Sequence, residues 1–289
     1  MTGSLLLHTP TALEYFASLV ADDASFPVLE AAISIAQDDD ASLDCQTVLA
    51  DIDTIAARLK IRLAGDAAPM HRLRLLNRFF FQELGFAGNV NDYYDANNSY
   101  LHSVLHTRRG IPITLAMLYI EIAGQIGLDA SGVSFPGHFL VKVRMPQGEV
   151  VIDPFTGQSM SRDALDALLA PYRGRHGLTG DAPVSLVVLL QAATPREIVA
   201  RMLRNLKEIH RRTDDAARLH AVLDRLVVLL PDAWEERRDR GLAAARLGAV
   251  TAAVADLSAY LTNVPQAGDR SVVARRLIEL GHGDPSRFH

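Results

Sequence analysis

Between residues 111 and 153 the apolar residues switch from helical to alternating spacing, and this switch constrains the fold class most tightly. Ile111–Ile126 sets Leu115, Leu118, Tyr119, Ile122 and Ile126 on one buried stripe, carries Pro112 in a first turn where a missing N–H is harmless, and stops at Gly127. Three short runs rich in Val, Ile and Phe follow: Ser131–Phe135, His138–Arg144 and Glu149–Asp153. Pro136–Gly137 and Pro146–Gln147–Gly148 separate them, so the pattern predicts an antiparallel sheet packed on one apolar helix.

Both flanks are helical. From about Thr11 to Leu84 the apolar residues fall into four helical sets, broken at Asp38–Ser42 and Gly65–Pro69. From Thr194 onward a repeat emerges. Pro231 and Pro265 stand one tetratricopeptide period of about 34 residues apart, with the small residues Gly241 and Ala253 where paired helices approach closely. The preceding unit has Lys207 and Leu219 at the equivalent places, so two helix pairs are expected, 197–230 and 232–264, with a capping helix at 270–280. The chain thus divides into a helical lead-in (1–90), a mixed core (91–193) and a helical repeat segment (194–289). Two pairs are too few to stand alone, so the repeats should pack on the core. Val187, Val188, Leu189 and Leu190 are the expected apolar bridge, and the whole chain should unfold as one block.

Composition excludes several classes. With 49% hydrophobic and 22% charged residues the chain is an ordinary globular sequence. No run approaches the roughly 20 apolar residues of a membrane span, and the start MTGSLLLHTPTALEYF has no basic n-region, so a cytoplasmic location is expected. The lone Cys45 rules out an internal disulfide framework and any Cys-cluster metal site. A net charge of −5 and a pI of about 6.0 argue against nucleic acid as a partner. The basic stretch RMLRNLKEIHRR, Arg201–Arg212, reads as the solvated face of a repeat helix. No cofactor is expected.

The chemistry lies in residue order. A helix start, a histidine opening an apolar strand (His138) and an aspartate ending the next strand (Asp153) follow the order of a Cys-His-Asp acyl-transfer site, in which the acid holds the imidazole for proton transfer. The thiol is absent. Cys45 lies far upstream and reads as a small buried residue at a helix start. Thr114, in the first turn of the central helix, is the hydroxyl candidate, although capping is the simpler role; Ser99 and Ser103 are weaker ones. His102, His106 and His138 make a thin case for a metal site, since no Glu follows His102 as in a zincin motif. Asn97, Asn98 and Ser99 read as caps of a helix over 99–107 that Arg108 and Arg109 close, one of them reaching Asp95 or Asp153.

The segment resembles the transglutaminase-like superfamily, carried by Gly110–Ile111–Pro112, Ala116, Gly127–Leu128, His138 and Ile152–Asp153–Pro154. Pro112 stands where that family places its Cys. The linked motifs NSYL, GIPITL, PGHFLV and IDPFTG are similar to those of SirB-type bacterial proteins, which combine such a domain with a helical lead-in and trailing tetratricopeptide repeats. The resemblance implies an α+β fold with a papain- or transglutaminase-like core and an all-α C-terminal segment. It implies a pocket but no established reaction; with the nucleophile missing, the expected function is a non-catalytic binding or scaffold protein for a protein or peptide partner, with a vestigial His138–Asp153 cleft lined by Asn98, Ser99, Arg109 and Pro112. The alternative is an amide or ester hydrolase, or an acyltransferase, in which Thr114 or water works with His138 as base and Asp153 as orienter.

Overall fold

The lead-in folds as four helices: α1 (Ala12–Leu19), α2 (Val28–Ser34), α3 (Cys45–Lys60) and α4 (Pro69–Asn77). These come from a computed structural model that describes residues 10–173 and 186–282, so most of the leader reading falls on residues outside that range. Thr11 and Glu14 cap each other's backbone N–H groups at α1, and the Asp44 carboxylate caps α3. Pro69 opens α4, which runs on as a π-helical turn, Arg78–Glu83. That turn buries Phe79 and Phe80, and Phe80 stacks on Phe86 with 4.3 Å between ring centres.

Strand β1 (Ala87–Gly88), helix α5 (Leu101–Thr107), strand β2 (Arg109–Gly110) and helix α6 (Pro112–Gln125) follow. β1 and β2 pair in parallel. Arg108 ends α5 in the left-handed region (φ 59°), its guanidinium 4.6 Å over the Phe86 ring. α6 begins at Pro112 and ends before Gly127 (φ 77°), as its sequence dictates.

A four-stranded antiparallel sheet packs on α6, in the order β3 (Asp129–Val133), β4 (Leu140–Met145), β5 (Gly148–Asp153) and β6 (Gln158–Ser159). β6, which the alternation did not reveal, is only two residues long. His138 lies in the turn ahead of β4 and not in the strand: its N–H closes onto the Phe135 carbonyl at 3.1 Å, with Gly137 at φ 68°. Helix α7 (Arg162–Arg173) covers the other face, where Leu165 and Leu169 meet Val133, Phe135, Leu140 and Val151.

After α8 (Leu186–Leu189) come the helix pairs α9 (Pro195–Arg212) with α10 (Ala216–Leu229), and α11 (Trp234–Arg246) with α12 (Val250–Asn263), then α13 (Arg270–His282). In the outer pair a Cβ on Gly241 would sit 3.0 Å from the side chains of Asp256 and Leu257, which is why a small residue stands there. The expected bridge is displaced. Val187 and Val188 are 77% and 56% exposed, and only Leu189 and Leu190 reach the small cluster under the sheet. The seam lies instead where α9 and α10 pack on α1 and α2, because α8 is one short turn whereas the inner pair offers two long apolar faces. Phe16, Ile33, Leu115, Leu203 and Leu223 share one core there. Arg225, fully buried, grips Asp38 with two bonds of 2.6 and 2.8 Å; Arg218 holds Asp39 at 2.7 Å and Arg196 holds Asp23.

Candidate functional site

Asp153 is the last residue of β5, and the chain turns back immediately at Pro154. An Asp there can accept from the backbone two residues on. Oδ1 takes the Phe155 N–H at 2.9 Å and Oδ2 takes the Thr156 hydroxyl at 2.9 Å. His138 Nε2 lies 2.8 Å from the same Oδ1. Both side chains are mostly covered. Burial pushes the Asp153 carboxyl up, but the hydrogen bond from His138, helped by the Phe155 N–H, outweighs it and leaves the group below its usual range. With Asp153 as a carboxylate the shared proton resides on Nε2, and the Nδ1 lone pair remains to accept one.

Thr114, the hydroxyl candidate whose simpler role is capping, sits in capping geometry. Its hydroxyl is fully buried, donates to the Asn98 carbonyl at 2.8 Å, lies 3.0 Å from the Ile111 carbonyl, and accepts the Ile111 N–H at 3.2 Å. It caps α6 and ties it to the preceding loop. Pro112, also buried, brings no donor. Asn98 does not cap α5: its amide accepts from Asn89 at 3.0 Å and donates to the Asp92 carbonyl at 2.6 Å, fastening the 89–93 loop. Asp95 caps the short 3₁₀ turn Ala96–Ser99 instead. Ser99 is buried, its hydroxyl unpartnered among the described residues, and Ser103 lies 3.4 Å from the Asn97 amide oxygen. Arg109 bonds the Gly85 carbonyl at 2.6 Å while Arg108 covers Phe86, so neither serves Asp95 or Asp153. The rigid β2 backbone and the left-handed residue before it aim both side chains back at the lead-in.

Cys45 is buried at the start of α3, where desolvation first, then the charge of Glu30, pushes its thiol up to about 11. His102 and His106 line a cavity between α3 and α5 with Asp51, Thr54 and Arg108, apart from the His138–Asp153 pair. Among the described residues no three His, Cys, Asp or Glu side chains come together as a metal site.

Several residues beside the dyad escaped the sequence reading. Arg201 of α9 was assigned to a solvated face, yet its Nη1 donates to the Ser134 hydroxyl at 2.8 Å and to the Phe135 carbonyl at 3.1 Å, the same carbonyl that anchors His138. The Arg212 guanidinium sits 4.0 Å over the Tyr94 ring, and Tyr93 lies 6.0 Å from the Phe155 ring. Tyr172 of α7 packs against Gly137: a Cβ there would fall 1.8 Å from its hydroxyl. The one local cue was the pair of aromatics in DYYD, residues 92–95, within a polar loop. Nothing in the run 201–212 set Arg201 apart from its neighbours.

Comparison with known proteins agrees with this architecture. Residues 46–204 match the transglutaminase-like superfamily and residues 206–278 match a tetratricopeptide repeat family. A UPF0162 protein of Xylella fastidiosa is 36% identical over 263 residues, covering 90% of this chain and 92% of its own length. One from Vibrio cholerae is 28% identical over 220 residues, covering 75% and 79%. Human F-box only protein 21 shares only a segment, 46% identical over 70 residues, which is 24% of this chain and 11% of that protein. With its sheet packed on α6 and its trailing helix pairs, the chain belongs to the transglutaminase-like superfamily, in a form that carries tetratricopeptide repeats.

Proposed function

We propose that the protein binds a protein or peptide partner without turning it over, using the His138–Asp153 cleft together with the repeat segment. What supports this reading is the start of α6, where Pro112 stands at the place in which the resemblance expects a Cys, and where the nearby Thr114 hydroxyl is buried and bonded to the backbone. An activated hydroxyl needs its proton free for a base and a path to its target, whereas this one is buried and donates to the Asn98 carbonyl. The repeat match supports a protein–protein role, since stacked helix pairs present grooves for extended or helical segments. The partner is sought with the full chain as bait, because α9 and α10 contribute to the main core and a piece begun at residue 194 would expose it.

One observation favours a second reading. His138 keeps its bond to Asp153 through Nε2, the arrangement in which Nδ1 can take a proton from water. An amide or ester hydrolase of that kind would use no covalent intermediate. Serine- and cysteine-directed probes therefore do not suffice to separate the two readings, and turnover of a panel of p-nitrophenyl esters and peptide anilides is also measured. Turnover lost in His138→Ala but kept in an exposed-site variant favours the hydrolase; absence of labelling and turnover, with a partner recovered on the full-length protein, favours the binder.

A further inference from the structure

Among the described residues Arg201 is half-buried on α9 without a carboxylate partner, as is Arg237 of α11, whereas other arginines of the repeat segment are paired. Arg196 pairs with Asp23, Arg204 with Glu236, Arg218 with Asp39, Arg225 with Asp38 and Arg240 with Asp256. Arg201 has no carboxylate within ion-pair distance among the described residues; Nη1 donates to a hydroxyl and a carbonyl. Glu197, one turn earlier on α9, has its carboxylate committed to the N–H and hydroxyl of Thr194. The Phe139 ring covers one side of the guanidinium at 5.6 Å. Burial removes water from this cation and lowers its affinity for its own proton, the reverse of what an ion pair does, and Tyr93 and Tyr172 lie close enough to offset part of the effect.

The surroundings offer room for an anion. A cavity of about 480 Å³ between the Ser134 turn and α9 is lined by Ser134, Thr194, Arg196, Glu197, Arg201 and Arg204, with Ala200 and Leu230. The acid that lines it, Glu197, has its carboxylate engaged by the Thr194 N–H and hydroxyl, and Asp153 directs its oxygens to His138, the Phe155 N–H and Thr156. Arg201 and His138 are joined through the Phe135 carbonyl, so a group seated on Arg201 has the dyad as its neighbour.

From this we infer that the cleft recognises a ligand carboxylate, held by the unpaired guanidinium of Arg201, with the rest of a short peptide lying past Tyr93 and Tyr172 toward His138. A planar fork of donors suits a carboxylate better than a neutral amide. This inference deepens the binding reading and rests on it.

The test is calorimetry on the full-length protein with three probes: acetyl-alanyl-phenylalanine as the free acid, the same dipeptide amidated, and an amidated dipeptide ending in glutamate. The free acid is expected to bind roughly ten- to a hundredfold tighter than its amide, the usual effect of a charged hydrogen bond. In Arg201→Ala that ratio falls to about one while the amide binds as before, and in Arg201→Lys a reduced preference survives. A loosened Phe135 turn would instead weaken acid and amide alike, so the ratio is the readout. Tight binding by the glutamate peptide extends the inference to side-chain carboxylates; binding by the free acid alone narrows it to chain ends. Equal affinity of acid and amide for the unaltered protein overturns the inference but leaves the cleft reading standing, which weakened amide binding in His138→Ala supports independently. No binding of any probe at millimolar concentration overturns both.

Discussion

Asp38→Ala should be among the most destabilising single changes in this chain, for a reason visible at the seam. Arg225 is entirely buried, and two of its nitrogens bond Asp38 at 2.6 and 2.8 Å while its Nη1 has no partner. Its guanidinium lies 4.9 Å over the Phe16 ring. Removing the carboxylate leaves a cation with no water and no counter-charge, a defect that costs about 3–5 kcal/mol. That is a large part of the roughly 5–15 kcal/mol by which folded domains are stable. Combining it with Arg225→Met should restore much of the loss, since replacing both partners of a buried pair with apolar groups is often nearly neutral. Urea unfolding measures it, followed by far-ultraviolet circular dichroism and by fluorescence of Trp234, the sole tryptophan, which opens α11 beyond the seam. If the seam welds the repeats to the core, both signals move together in every variant. A cost below about 1 kcal/mol for Asp38→Ala, or a Trp234 transition separate from the dichroism one in the unaltered protein, would refute the reasoning.

Three other outcomes follow. Asp153 titrates lower when folded than when unfolded, so its contribution is present above about pH 4 and is lost as pH falls through the folded value; Asp153→Asn should flatten the acid limb of stability below about pH 4, and an unchanged limb contradicts this. Cys45, raised to about 11 by burial, should resist iodoacetamide at pH 8 in the native protein and react on unfolding, whereas Cys45→Ser should cost about 1–3 kcal/mol; fast native alkylation counts against the buried assignment. Thr114→Val removes the group that satisfies the Ile111 N–H and the Asn98 carbonyl, so it should lower stability by about 1–3 kcal/mol and leave partner binding intact; loss of binding at unchanged stability would point back to the hydroxyl as a functional group.

The sequence announced what local rules govern. The α6 boundaries followed from Pro112 and Gly127, the sheet from alternation, and the outer helix pair from Gly241 and Ala253. The proximity of His138 and Asp153 was legible because consecutive antiparallel strands bring neighbours in sequence together. What stayed hidden depends on distant partners. The Arg225–Asp38 seam joins residues 187 positions apart, and Arg201 reaches Ser134 across 67. A charged residue on a repeat helix looks solvated until the surface opposite it is known. The tie of Thr114 to Asn98 was hidden for a different reason: that carbonyl arrives beside it only when the loop folds back.

Helix α9 faces two ways. Its Arg201 meets the turn that carries His138, while its Arg204 and Lys207 hold Glu236 of α11 at 2.8 and 2.6 Å. Cleft and outer repeats are therefore joined by one stiff rod with no linker between them. A ligand long enough to touch both meets two sites at a fixed separation, so its second contact forms at a high effective concentration when its length matches that span and not at all when it falls short. On the proposed binding role, the spacing along α9 would act as a ruler, setting selectivity for ligand length in the fold before any side chain makes a choice.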